Sequence, residues 1–266
     1  MTPGMDSDET PTLQALIFDV DGTLADTERF GHRPAYNQAF DDLGADWSWS
    51  ESEYGELLEV EGGYERLRHY LAFYQPDFEP EAGQDDFLDA AYERKNQYYR
   101  ERLASGAVPL RPGIRRLIAE ARADGLRLAI ASSSLRANVM ALLSQILVEP
   151  PEEVFDAIVT GSDAAEKKPS ADIYRRVLER LELDASACVA IEDSENGCLS
   201  AVRAGVTTIV TTSSYTGHHD FTGAALVADS LGDPDRPWRV LAGLQPGTEY
   251  LDINALRLIH ARAHRA

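Results

Sequence analysis

The chain has 266 residues, 44% of them hydrophobic, and a formal net charge of −20. That is enough apolar material for one large or two modest domains. So negative a surface repels a nucleic-acid backbone, and no apolar run reaches the roughly 18–20 residues of a membrane span.

Residues 1–12 read as a short disordered acidic tail, without the basic and apolar regions of a signal peptide. The first strand-like run, Leu16-Ile17-Phe18, ends abruptly in Asp19-Val20-Asp21-Gly22-Thr23. From 27 to 103 there are no strand-like runs. Helices are predicted over Arg29–Leu43, Glu51–Leu58, Gly63–Phe73 and Asp85–Leu103, in a segment rich in Tyr, Trp and Phe that fits a helical core. Arg111-Pro112-Gly113 then opens a helix to Ala123, closed by Asp124-Gly125.

From there helix and short apolar strand alternate. Strands are predicted at Leu126–Ala131, Ala157–Thr160, Cys188–Ile191, Thr207–Thr211 and, as the last, Leu226–Val227. Helices fall at Leu135–Leu147, Ala171–Leu181 and Gly197–Ala204. A βαβα succession implies an α/β fold with a parallel, doubly wound sheet. The boundaries this gives are a core of 13–26 plus 104–266, with 27–103 as a helical insertion over its carboxyl edge. Cys188 and Cys198 have no histidine beside them and fit small core fillers of a reduced cytoplasmic protein.

In a parallel sheet the carboxyl ends of the strands share one edge, and ligands collect there. Asp19 and Asp21 end the first strand, Ser132-Ser133-Ser134 follows the second, Lys167-Lys168-Pro169 lies beyond the third, and Glu192-Asp193 ends the fourth. Each alone has an ordinary explanation: an Asp-Gly turn, a helix cap, a solvated pair, a turn. Together they supply carboxylates for a divalent cation, a hydroxyl and an amine for phosphate oxygens, and a spare carboxylate for proton transfer. The chain has only three lysines, Lys95, Lys167 and Lys168. One fixed near paired carboxylates on so acidic a protein is significant.

Asp19-x-Asp21-Gly22-Thr23, Ser132, Lys168-Pro169 and Glu192-Asp193 occur in the order of the four motifs of haloacid dehalogenase-like phosphohydrolases, which the chain resembles over residues 13–231. The insert is similar to the C1 cap of that superfamily. Ala25-Asp26-Thr27-Glu28 with His32, Trp47-Ser48-Trp49, Gly62-Gly63-Tyr64-Glu65-Arg66 and Gly232-Asp233-Pro234-Asp235-Arg236-Pro237 resemble the CbbY-type sugar phosphatases. Two positions depart from that pattern: Tyr64 stands where Lys or Arg is usual, removing a cation for a second phosphate, and Ser132 stands where Thr is common.

The resemblance implies a cytoplasmic, monomeric, Mg²⁺-dependent phosphatase for a small phosphorylated sugar. Xylulose-1,5-bisphosphate, a Rubisco-inhibiting by-product of the Calvin cycle, is the leading substrate. It further implies Asp19 as nucleophile forming an aspartyl-phosphate and Asp21 as general acid and base. Lys168 and Ser132 would hold the phosphoryl oxygens. Mg²⁺ would sit on Asp19, the Asp21 backbone carbonyl and Asp193, with Glu192 supporting that shell. Glu28 and His32, one helical turn apart, are candidates for sugar hydroxyls. Ser133 is a further substrate-binding candidate, and Arg66, Arg68 and Arg136 are candidates for a distal phosphate. A β-phosphoglucomutase-type mutase, a broad phosphoglycolate-like phosphatase and a non-catalytic binding protein remain open alternatives.

Overall fold

β1 (Ala15–Phe18) is apolar at every position because both of its faces are covered. In the computed structural model, which describes residues 11–265, it lies at the centre of a sheet with β2 (Arg127–Ala131) on one side and β4 (Cys188–Glu192) on the other. β3 (Ala157–Val159) lies outside β2, and β5 (Thr207–Thr211) and β6 (Leu226–Ala228) continue beyond β4. These six are parallel. β7 (Val240–Gly243) adds an antiparallel edge, giving the spatial order β3-β2-β1-β4-β5-β6-β7. Phe18 is in register with Ile130 of β2 and with Ile191 of β4, which brings the residues that follow each strand to one level.

Alternate residues of the strands feed two helical layers. Leu16, Phe18, Leu128, Ile130 and Ile191 pack with α5 (Ile114–Ala123), α6 (Arg136–Ile146) and α10 (Ile253–Ala263). Ile17, Ala129, Val159 and Ala190 face α8 (Asp172–Leu181) and α9 (Glu195–Arg203). Cys188 lies within this second layer and Cys198 against Val210 and Val227; burial pushes each thiol up to about 12.

The insert holds α1 (Arg33–Asp42), α2 (Glu51–Leu57), α3 (Gly63–Tyr74) and α4 (Gln84–Ala104). They surround their own aromatic core, in which Trp49 lies 4.6 Å from Tyr36 and 4.9 Å from Phe40 between ring centroids. Phe73 and Tyr74, counted with the aromatic segment, are instead exposed.

The helix predicted over Arg29–Leu43 is interrupted. Glu28–His32 forms a π-helical turn before α1 begins. Pro34 has no N–H to offer Phe30, and the Phe30 carbonyl instead accepts from Arg102 Nε at 2.7 Å. Leu226–Val227 is not the last strand either, since β7 and α10 follow. Three of β7's four residues are exposed at the sheet edge, so the sequence there carries no buried-strand pattern. The short α7 (Pro151–Val154) is likewise additional. The acidic tail placed at residues 1–12 falls almost entirely outside the described residues. No helix among those described is long and apolar enough to cross a membrane.

The Gly232-Asp233 segment closes the C-terminal part onto α5. Asp233 accepts from the Gly113 N–H at 2.9 Å and from Arg116 Nε at 3.2 Å. Arg116 also donates to the carbonyls of Gly232 (2.7 Å) and Leu251 (2.9 Å) and lies 4.5 Å over the Tyr250 ring. The conformation of Gly113 (φ +84°) is one that L side chains rarely adopt. Arg116→Ala should therefore cost about 2–4 kcal/mol in urea unfolding, because buried carbonyls and the carboxylates of Asp233 and Glu120 lose that donor. Turnover per folded molecule should be unchanged.

Candidate active site

The sheet's connectivity reverses at β1, where neighbouring strands lead to opposite sides. That is the place where the carboxyl ends of an open α/β sheet leave a crevice. Asp19 leaves β1 with its N–H bonded to the Ile191 carbonyl at 3.0 Å, and Asp193 follows β4 directly. Lys168 comes from the loop between β3 and α8. Its Nζ lies 2.7 Å from Asp19 Oδ1, 2.7 Å from Glu192 Oε1 and 3.0 Å from the Ala131 carbonyl. All four side chains are buried.

Four of these groups are charged and three are negative. Burial disfavours the lysine's charge, but Asp19 and Glu192 override it and raise its affinity for the proton. Asp19 is pushed up to about 7, by burial first; Lys168 opposes this, and the charges of Glu192 and Asp21 add to it. Asp193 is raised well above the ordinary aspartate range by burial and then by Asp19 and Glu192. One ammonium does not neutralise three carboxylates, and the surplus negative charge fits a divalent cation.

The donor chemistry fits Mg²⁺ in particular. Carboxylate oxygens of Asp19, Glu192 and Asp193 lie within 4.8 Å of one another, an all-oxygen set of hard ligands. The backbone makes room for it. Gly22 has φ +84°, and a Cβ there would come 2.2 Å from Asp193 Oδ2. Glu192 is fully buried and is used differently from its neighbours. Its Oε1 accepts from Lys168 and from the Tyr174 hydroxyl, while Oε2 has no hydrogen-bond partner and lies where a Cβ on Gly197 would be 1.9 Å away.

Asp21 stands apart from this crowd. Burial pushes its carboxyl up, but hydrogen bonds from His32 and then from Ser134 and Thr27 hold it well below the usual carboxylate range. The Thr27 hydroxyl donates at 2.6 Å and His32 Nε2 lies at 3.1 Å, both to Oδ1, while the Ser134 hydroxyl donates to Oδ2. His32 is itself stacked on Tyr99 at 3.9 Å. The Ser132 hydroxyl is buried beside Asp19 in the same cavity and accepts the Ser134 N–H at 3.1 Å.

A cavity of about 450 Å³ extends from this edge up to the insert. Glu28, His32, Arg66 and Ser133 all line it. His32 is committed to Asp21, however, and Glu28 accepts from the Tyr54 hydroxyl. Arg66 is buried: Nε donates to the Leu57 carbonyl at 3.0 Å and Nη1 to the Tyr54 hydroxyl at 3.3 Å. Lys167 lies at the rim, paired with Glu65 of α3 at 2.6 Å.

Two expectations do not survive. Arg136 does not reach the cavity; it is exposed at the start of α6, with Nη1 3.4 Å from the Ile158 carbonyl, because the helix turns it back toward β3. Arg68 likewise lies over the Tyr64 ring at 5.7 Å, outside the cavity lining. Tyr64 donates to Asp89 and does not line the cavity either, so the cation absent at that position is not absent from the pocket wall.

The cavity also contains residues not anticipated from the sequence. Lys95 of α4 is buried, with Nζ 5.0 Å from the Tyr36 ring centroid, and burial lowers it to about 8. Its signal was its rarity, as one of three lysines. Glu61 lines the wall with its carboxyl raised by burial, against the pull of Lys168 and Arg66. Thr27 and Ser134 had the residue types of caps and gave no sign of meeting at Asp21.

The chain belongs to the haloacid dehalogenase-like hydrolases, whose family pattern it matches over residues 13–205. Within that family it is of the CbbY type. The plasmid-encoded protein CbbY of Cupriavidus necator is 46% identical over 250 residues, covering 93% of this chain and 97% of its own. The crystal structure of CbbY from Rhodobacter sphaeroides in complex with phosphate matches with a TM-score of 0.75 at 42% identity, covering 82% of this chain and 95% of that one. A single-residue variant of the same protein, in complex with xylulose-1,5-bisphosphate, matches with the same TM-score at 41% identity and the same coverage.

The carboxylate surplus makes a prediction for the metal-free protein. Asp19 and Asp193 in the folded state keep protons that the unfolded chain releases near the ordinary aspartate value of 3.8. Their contribution to stability therefore falls as pH rises from about 4 toward the value of about 7 at Asp19. In chelator, Asp193→Asn should melt above the parent at pH 8, by on the order of 1–3 kcal/mol, with the gap closing at pH 5. Calorimetry at the two pH values measures this, and a gap independent of pH would contradict it.

Proposed function

We propose that this hydrolase is a Mg²⁺-dependent sugar-phosphate phosphatase whose substrate is xylulose-1,5-bisphosphate, cleaved through a phosphoryl group carried on Asp19. The observation that carries the reading is the Lys168 ammonium, 2.7 Å from both Asp19 and Glu192. It holds one aspartate in a fixed orientation on the floor of a cavity large enough for a small sugar. The Rhodobacter sphaeroides relative with xylulose-1,5-bisphosphate bound supports the substrate.

Asp19 attacks phosphorus as the ionised carboxylate, the form that Lys168 favours against burial and that a bound Mg²⁺ would favour further. What opposes the step is like-charge repulsion with a phosphate dianion. Lys168 neutralises part of that charge, held against the nucleophile by Glu192 and Tyr174. The Ser132 hydroxyl donates to a phosphoryl oxygen. Asp19, the Asp21 backbone carbonyl and Asp193, with Glu192 behind them, would hold Mg²⁺, which would supply the remaining positive charge.

Asp21 handles the proton. Its three hydrogen-bond donors keep it ionised, which suits the second step, when it takes a proton from the water that attacks the phosphoaspartate. For the first step it must carry a proton to the sugar oxygen. The arriving phosphate dianion, a like charge beside Asp21, raises its proton affinity in that direction.

The insert, 27–103, acts as a cap that excludes water once the sugar is bound. Arg66 and Lys95, two buried cations on its wall, receive the distal phosphate, while Glu28 and Ser133 meet sugar hydroxyls. On this reading the enzyme works in the cytoplasm beside the Calvin cycle.

Asp19→Asn should keep the parent's circular dichroism and lose kcat by at least about 10³-fold, measured as inorganic phosphate release. Near-normal turnover would remove the nucleophile. Chelation should stop the wild-type enzyme and added Mg²⁺ should restore it. Arg66→Ala or Lys95→Met should lower kcat/KM for the bisphosphate by about 10–100-fold, the loss of a buried charge-assisted contact. The same variants should leave a monophosphate ester lacking the distal group within about twofold. Equal losses on both esters would show that these cations do not read a second phosphate.

A further inference from the structure

A second group of metal-binding side chains lies at the mouth of the cavity, away from the strand-end carboxylates. Glu59 follows α2 in the insert, and His218 and His219 sit between β5 and β6 in the core. Their donor atoms all lie within 4.8 Å of one another. Glu59 and the two adjacent histidines come from segments far apart in the chain and from the two sides that meet at the cavity entrance.

These side chains are little used by the protein itself. Among the described residues, neither the Glu59 carboxylate nor the His218 ring makes a hydrogen bond or ion pair; His218 meets His219 edge-on, with centroids 4.7 Å apart. His219 Nδ1 accepts the Glu195 N–H at 3.2 Å, a long bond and the one contact an ion at that nitrogen would displace. Burial and then the neighbouring His218 lower the proton affinity of His219, which favours the neutral imidazole a metal requires.

The donor set differs in kind from the one at Asp19. Two imidazoles and a carboxylate suit zinc-class ions and offer little to Mg²⁺, which prefers oxygen throughout. Zinc bonds of about 2.0–2.1 Å put tetrahedral donors about 3.3 Å apart. The three groups must draw in from their present spacing, and Glu59 and His218 are exposed and free to change rotamer.

Position gives the site a consequence. Glu59 and His219 both line the cavity. Two other cross-domain contacts rim the same opening: Lys167 with Glu65 at 2.6 Å, and the Tyr215 ring edge-on to Tyr54 at 5.9 Å. Both are weak: an exposed ion pair and a ring contact. Metal bonds across that seam are far stronger.

We propose that Glu59, His218 and His219 bind a zinc-class divalent ion that fastens the helical insert to the core at the cavity mouth and thereby slows turnover. The binding site stands independently of the phosphatase assignment; only the effect on turnover rests on it.

The test titrates ZnCl₂ into the 266-residue protein by calorimetry, with Mg²⁺ saturating so that the strand-end carboxylates are filled. The expected result is one zinc equivalent of micromolar affinity. It should weaken at least about tenfold in His218→Ala and in Glu59→Gln, and persist in Asp193→Asn. Without zinc, His218→Ala, which does not line the cavity, should turn over like the parent; with micromolar zinc the parent should slow about tenfold and the variant should not. Unchanged zinc affinity in His218→Ala, or binding lost in Asp193→Asn, would overturn the site. Binding that left turnover untouched would overturn the latch. Failure to hydrolyse any sugar phosphate would count against the phosphatase assignment alone, since the calorimetric equivalent is read without substrate.

Discussion

The shared ammonium of Lys168 is the interaction on which the site depends. Asp19, Glu192 and Asp193 are brought into one buried space at the end of β1 and β4, and Coulomb repulsion among them would push them apart or protonate them. Lys168 is positioned by two carboxylates and the Ala131 carbonyl, so its charge is both needed and fixed. Its neutralisation is incomplete. The remaining negative charge suits a divalent cation, and on the proposed reading such a cation would make a phosphate acceptable to a protein with a net charge of −20.

The sheet supplies the precision this requires. Phe18 pairs with Ile130 and Ile191, so a slip of one residue along β1 would send Asp19 to the opposite face and dissolve the cluster. Central strands buried on both faces make that slip costly. Glycine completes the packing at close approaches: Gly22 admits Asp193 and Gly197 admits Glu192, in each case where a methyl group would collide with a carboxylate. Asp21 lies beyond the sheet and takes its environment from the insert and from the loop after β2, through Thr27, His32 and Ser134. The geometry of Asp19 therefore depends on the core, and that of Asp21 on the seam between core and insert.

The insert wall has a different chemistry from the floor. Its aromatic core holds α1 to α4 together without help from the sheet, and its buried cations, Arg66 and Lys95, are solvated by tyrosine rings and carbonyls in place of carboxylates. Cations left without full counter-charges can bind an anion without first breaking a salt bridge. The floor thus presents carboxylates gathered around one ammonium, and the wall presents cations.

Much of this was legible in the order of residues. The alternation of apolar runs with helices from Leu126 onward marked the parallel sheet, and chemistry-bearing residues stood at the ends of three of those runs and of the first strand. A parallel sheet has a single carboxyl edge, so the order of residues alone assigns Asp19, Ser132, Lys168 and Asp193 to one place. Short exposed elements such as β7 left no pattern, because an edge strand with three exposed residues has no apolar face to repeat. Which arginine faces the cavity also escaped the sequence. Arg66 and Arg136 look alike as letters, and the direction of each side chain is set by the turn of its helix against neighbours from distant segments. The triple grip on Asp21, the entry of Lys95 and the meeting of Glu59 with two histidines were likewise decided by tertiary contact. Local order along a chain fixes residue type and periodicity, whereas the electrostatic state of a group is the sum of charges and dipoles that only folding brings within a few ångströms.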